Sequence, residues 1–113
     1  MITQKKMIVP IFDYKLTIVI FDKWEKLGKF LPKEEMEQEA KAITINQYGA
    51  SLVAINSKRG NSIVHEALHI KNSIWRYIEY TPQSDNDEVD ACLITYIYKK
   101  ITDVFYKHDR AAK

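Results

Sequence analysis

His65, Glu66 and His69 stand in the stretch IVHEALHI, residues 63 to 70. The spacing is that of H-E-x-x-H, and on a helix it has a definite chemistry. Residues i and i+4 are neighbours on one face, so two imidazoles can reach a single metal ion. Glu66 is turned about 100° from His65. It lies beside the ligand face and is placed to hydrogen-bond a metal-held water and take its proton. The bland alternative is a solvated helix face that happens to carry two histidines. The uncharged flanking residues Ile63, Val64, Ala67, Leu68 and Ile70 favour a helix buried behind a metal-facing stripe.

A zinc site that does chemistry usually has three protein ligands and one open position. His108 is the only other histidine, and it lies in a basic C-terminal tail expected to be a solvated end. The acidic run Asp85, Asp87, Glu88, Asp90 offers better third ligands. Glu88 stands first among them, because a carboxylate opening a helix also suits the helix dipole. Asp85 and Asp87 are alternatives; Asp90 can act as ligand or as an orienting group. Asn72 and Arg76 extend the face of His65 and His69, as outer-shell or substrate-facing groups or as a plain solvated face. Cys92, one turn past Glu88, reads as a small buried residue.

The elements that must position these groups follow from periodicity. MIVPIF (7–12) and KLTIVIF (15–21) flank Asp13 and Tyr14 and predict one interrupted strand or a tight pair, with Pro10 at an edge or kink. DKWEKLGKFL (22–31) has apolar residues at helical spacing, Asp22 as N-cap and Pro32 as its end. KEEMEQEA (33–40) predicts a short exposed helix or a loop. Alternating runs at 42–46 and 51–55 surround QYGA and predict a hairpin, with Gly49 supplying the turn's positive φ. Two long helices then follow, over 61–80 with Asn61 or Ser62 as cap and over 87–107 with a cap among 85–87. The fold class is therefore α+β: a small, mostly antiparallel sheet with helices on one face. The last two helices carry H-E-x-x-H and the downstream glutamate.

The chain has 113 residues, 46% hydrophobic and 12% aromatic, enough for one domain spanning 1–113 with its own core. A net charge of +2 gives no reason to expect nucleic acid as a partner. One cysteine rules out an internal disulfide and suits a reducing compartment. No signal peptide or membrane-spanning run is evident, so a cytoplasmic setting is expected.

HEALH, eighteen residues, then EVDA resembles the gluzincin zinc metallopeptidases, a family that includes thermolysin and the zinc aminopeptidases. The stretch also resembles small metallopeptidase-like proteins of phages and mobile elements. The likeness covers residues 64 to 92. It implies one zinc ion per chain on His65, His69 and Glu88, with Glu66 as general base and Ala91 as the small residue beside the metal helix. It implies hydrolysis of peptide or protein substrates by metal-activated water. In the larger relatives an edge strand beside the metal helix holds the substrate as an added strand; here SLVAINS (51–57) is the candidate. The chain is much shorter than those enzymes, lacks their extra helical domain, and has no clear counterpart of their oxyanion-stabilising His or Tyr. Tyr96 is the candidate for that role, ahead of Tyr106 and His108; Tyr77 and Tyr80 are expected in the core or at a rim. The second function compatible with these residues is a zinc-stabilised interaction module that no longer turns over substrate.

Overall fold

The computed structural model describes residues 1–37 and 39–111. Four strands form one sheet: β1 (Ile2–Val9), β2 (Tyr14–Phe21), β3 (Ala42–Gln47) and β4 (Ala50–Asn56). Their order is β1-β2-β4-β3. The β1–β2 and β3–β4 ladders are antiparallel and the central β2–β4 ladder is parallel. The helices are α1 (Lys33–Met36), α2 (Ile63–Tyr77) and α3 (Glu88–Ala111), with 3₁₀ turns at Trp24–Lys29 and Gly60–Ser62. The α+β class, the hairpin around Gly49 (φ 78°) and the two consecutive C-terminal helices are as the sequence predicts.

The parallel centre decides what covers the sheet. A strand inside a parallel pair is buried on both faces and reads as a continuous apolar run, and β2 does. Leu16, Ile18 and Ile20 pack with Ile63, Ala67, Ile70 and Ile74 of α2 and with Leu93, Ile97, Ile101 and Val104 of α3. Val19 and Phe21 point the other way, into a second cluster with Trp24, Leu27, Leu31 and Ala54. Both long helices thus lie on one face, while the 3₁₀ turn at 24–29 closes the other. Asp22 does not cap that turn. Lys23 holds the N-cap position without a side-chain bond, because the Asp22 carboxylate is engaged elsewhere.

The element ends differ from expectation for local reasons. The hairpin starts at Ile2, and its four-residue turn includes Ile11 at φ 74° and Asp13 at φ 51°. Helix α2 begins at Ile63 after a 3₁₀ turn, with no side-chain cap from Ser62. It ends at Tyr77 because Glu79 adopts φ 59°. The Tyr80 N–H then reaches back to the Trp75 carbonyl at 2.8 Å, the closing bond of a Schellman motif.

As far as Ala111 the basic tail keeps Lys107 and Arg110 exposed, as expected, but His108 is not part of that solvated face. The tail continues α3 to Ala111, and His108 is 1% exposed. The ring is fixed between β1 and the end of β2, with Nδ1 2.8 Å from Thr3 Oγ1 and Nε2 3.0 Å from Asp22 Oδ1. Hydrogen bonds from Ser57 and then His108 hold the Asp22 carboxyl down at about 2, against an ordinary 3.8. A carboxyl depressed in the folded chain stabilises above its unfolded pKa, and that stability is lost as pH falls through the folded value. In an acid titration followed by circular dichroism, wild type is therefore expected to lose stability more steeply than Asp22→Asn between about pH 4 and 2.

Candidate functional site

At about 100° per residue, α2 presents three longitudinal faces. His65, His69, Asn72 and Arg76 fall within about 60° of arc and form a solvent-facing stripe. Glu66, Ser73 and Tyr77 form the neighbouring flank, turned toward β3. Lys71 and Trp75 lie on the opposite flank, toward α3. This arrangement follows from the apolar spacing of Ile63, Ala67, Ile70 and Ile74, which pins the helix to the sheet and leaves a polar flank on each side.

The two histidines converge. Their rings meet edge-on with centroids 4.7 Å apart, and the Nε2 atoms are 3.1 Å apart, so one ring N–H donates to the other nitrogen. Two nitrogens each at the Zn–N distance of a tetrahedral ion would be about 3.3–3.4 Å apart. The pair therefore already has nearly the spacing a shared metal requires. Both rings are exposed, which leaves the outer side open.

Glu66 is buried despite its charge, at 6% exposure. The Thr44 hydroxyl of β3 donates to its Oε1 at 2.8 Å, which satisfies one carboxylate oxygen. Oε2 stands 3.7 Å from His65 Nε2. A buried carboxylate oriented by a neighbouring strand, with one oxygen turned toward paired imidazoles, is the arrangement a general base needs.

Thr44 has a partner further along the same groove. On β3, Thr44 and Asn46 point to α2, while Ile43 and Ile45 pack on the second cluster. Asn46 Oδ1 accepts from Ser51 Oγ at 2.6 Å. Ser51 meets the buried Tyr14 hydroxyl at 2.6 Å, and that hydroxyl meets Ser73 Oγ of α2 at 2.7 Å. This chain of hydroxyls ties β3, β4, β2 and α2 together and makes the wall beside the histidines rigid.

The remaining expected site residues are placed as follows. Glu88 opens α3 in an exposed position, and the hydrogen bond it accepts is a 3.8 Å one from the Cys92 thiol. Among the described residues, no group of three or more His, Cys, Asp or Glu is placed to hold a metal ion. The structure thus brings His65, His69 and Glu66 together and leaves Glu88 apart. Asp90 binds Lys71 Nζ and Trp75 Nε1 on the α2 flank away from Glu66, so it orients the helix pair and not a histidine. Tyr96 is half-buried beside Phe12 and Trp75 under the β1–β2 turn, which removes it from the oxyanion role. His108 is buried against Thr3 and Asp22, and Tyr106 is on the same distant end of α3. Cys92 is exposed, not buried. Asn72 and Arg76 do line up with the histidines.

Strand 51–57 cannot accept an added strand. It forms β4, which is hydrogen-bonded to β2 on one side and β3 on the other. The edge beside α2 is β3. No family model matches this chain, and neither a curated protein nor a solved structure shows significant similarity to it. No helix among the described residues is long and apolar enough to cross a membrane.

Proposed function

We propose that this chain is a zinc-dependent hydrolase of peptide bonds, with His65 and His69 as metal ligands and Glu66 as general base. The observation that carries the reading is the convergence of the two Nε2 atoms at 3.1 Å beside a buried glutamate held by Thr44. A solvated helix face gives no reason for that glutamate to be buried. Zinc bound by the pair would acidify water and polarise a carbonyl. Glu66 accepts the proton at Oε2, since Oε1 is taken by Thr44, and returns it to the leaving amine. The outer edge of β3 (Ala42–Gln47) receives the peptide as an added strand, its main-chain groups supplying affinity. A reducing compartment such as the cytoplasm suits the lone, exposed Cys92.

Glu88 remains the proposed third ligand. As α3 is placed here, Glu88 is not grouped with the histidines, so its ligation requires the start of α3 to move toward them. A second reading, a metal-holding interaction module without turnover, is favoured by the distance of Glu88 from the histidine pair.

Elemental analysis of the zinc-loaded chain is expected to give about one zinc per molecule, and none for His65→Ala. Glu88→Ala is expected to weaken zinc binding at least about tenfold; an unchanged affinity removes Glu88 from the ligand set. Zinc-loaded wild type is expected to cleave members of a generic peptide library. Peptide capture without any cleavage selects the interaction module, and wild type free of zinc overturns both readings.

A further inference from the structure

The groove that holds Glu66 does not stop at the metal pair. It continues along α2 into a cleft of about 300 Å³ lined by Asn46, Gln47, Tyr48, Ser73, Arg76 and Tyr77. We propose that this cleft binds a carboxylate of the peptide lying along β3, about three residues from the bond that is cut; the proposal rests on the peptide reading above.

Position supports the link. Ser73 and Arg76 each lie seven residues beyond Glu66 and His69, about 10 Å along the helix axis. An extended peptide covers that distance in about three residues. Asn46 and Gln47 follow Thr44 on β3 in the same direction, so one added strand passes the histidines and then the cleft.

Chemistry specifies the ligand. Arg76 is the only charged residue among the six, it is exposed, and among the described residues it has no carboxylate partner. Its planar fork of N–H donors matches a carboxylate. Asn46 has its oxygen occupied by Ser51, so its amide nitrogen is the group left to donate. The Ser51–Tyr14–Ser73 hydroxyl chain holds that wall in place. Tyr48 and Tyr77 meet edge-on at 4.8 Å, and Tyr48 is 89% exposed. Ring edges carry partial positive charge and suit an anion. Gly49 is part of the construction: a Cβ there would come within 3.2 Å of the Tyr77 ring. The turn's glycine therefore lets the ring close this end of the cleft. No lining group is acidic, so a basic side chain finds no partner here. An acidic side chain and a peptide C-terminus offer the same carboxylate, and the two are separable by experiment.

The test uses the full chain carrying Glu66→Gln, so that no peptide is consumed, followed by nitrogen-15 NMR. Three probes are titrated: Ac-Ala-Ala-Asp-Ala-Ala-NH2, the same peptide with Asn for Asp, and Ac-Ala-Ala-Ala-Ala-Ala with a free C-terminus. Amides of Gln47, Tyr48 and Arg76 are expected to shift, with a midpoint at least about tenfold lower for the Asp peptide than for the Asn peptide. Adding Arg76→Gln is expected to erase that difference; because Arg76 is exposed, the fold is not at stake. A free-C-terminus midpoint matching Asp identifies a site that also takes chain ends, and one matching Asn identifies a side-chain site. Equal midpoints for Asp and Asn, a preference that survives Arg76→Gln, or no shifts at these amides overturns the proposal. Wild-type cleavage without charge preference overturns the subsite alone, whereas carboxylate binding with no cleavage by wild type overturns the hydrolase reading alone.

Discussion

Glu66→Gln is expected to keep its zinc and lose turnover by about 10²–10⁴-fold. The substitution is nearly isosteric, and the glutamine oxygen can still accept the 2.8 Å bond that Thr44 donates. Removing a charge from a 6%-exposed position does not harm the fold. What disappears is a carboxylate oxygen able to accept a proton beside His65. His65→Ala removes a ligand, so it is expected to lose zinc and turnover together. The contrast between the two variants separates base from ligand, with zinc content and single-turnover peptide cleavage as the measurements. A Glu66→Gln chain that cleaves at the wild-type rate takes Glu66 out of the chemistry.

The part of this site legible in the sequence is the part carried by one helix. His65, Glu66 and His69 keep their relations because helical geometry alone sets them. Their partners come from elsewhere in the chain, where no local geometry sets them. The only local signal for Thr44 is its place on an alternating strand, AITINQ, which puts it and Asn46 on one polar face of an otherwise apolar strand. That pattern also marks β3 as the edge. The nearly continuous apolar run in SLVAIN marks β4 as a strand buried on both sides, and that run argues against placing the substrate there. The Ser51–Tyr14–Ser73 chain joins residues up to 59 apart, and no local pattern announces it.

Glu88 illustrates a different limit. Counting eighteen residues from His69 says how much chain is available, not where it goes. The Schellman ending places about 12 Å of helix between His69 and the end of α2, and α3 starts beyond it in the antiparallel direction. The two ends of the motif are thereby set apart. The charges around His108 hide it in the sequence. Leu93, Ile97, Ile101, Val104 and His108 recur every three or four residues, so the buried stripe of α3 runs straight into the tail.

Asp90→Ala is expected to destabilise the chain by about 3–5 kcal/mol, measured by urea denaturation. Lys71 Nζ approaches the two Asp90 oxygens at 2.8 and 2.9 Å, and its side chain is only 8% exposed. Trp75 Nε1 donates to the same carboxylate, and Trp75 is itself buried against Phe12. Burial is the largest single influence on Asp90 and acts to raise its pKa, but the bonds from Lys71 and Trp75, with the Lys71 charge, lower it overall. Truncating Asp90 therefore leaves an ammonium and an indole N–H buried without partners. Removing the ammonium as well, in Lys71→Met with Asp90→Ala, is expected to recover most of the loss, because the larger penalty is the unpaired charge and not the missing attraction. Since the folded carboxyl is depressed, its contribution is present above an unfolded pKa of about 3.9 and fades as pH falls further. The gap between wild type and Asp90→Ala should narrow over that range. Zinc content normalised to folded protein is expected to stay at the wild-type level, because Asp90 grips the flank of α2 opposite Glu66. A change in zinc affinity of the folded double variant would instead make Asp90 part of the metal site.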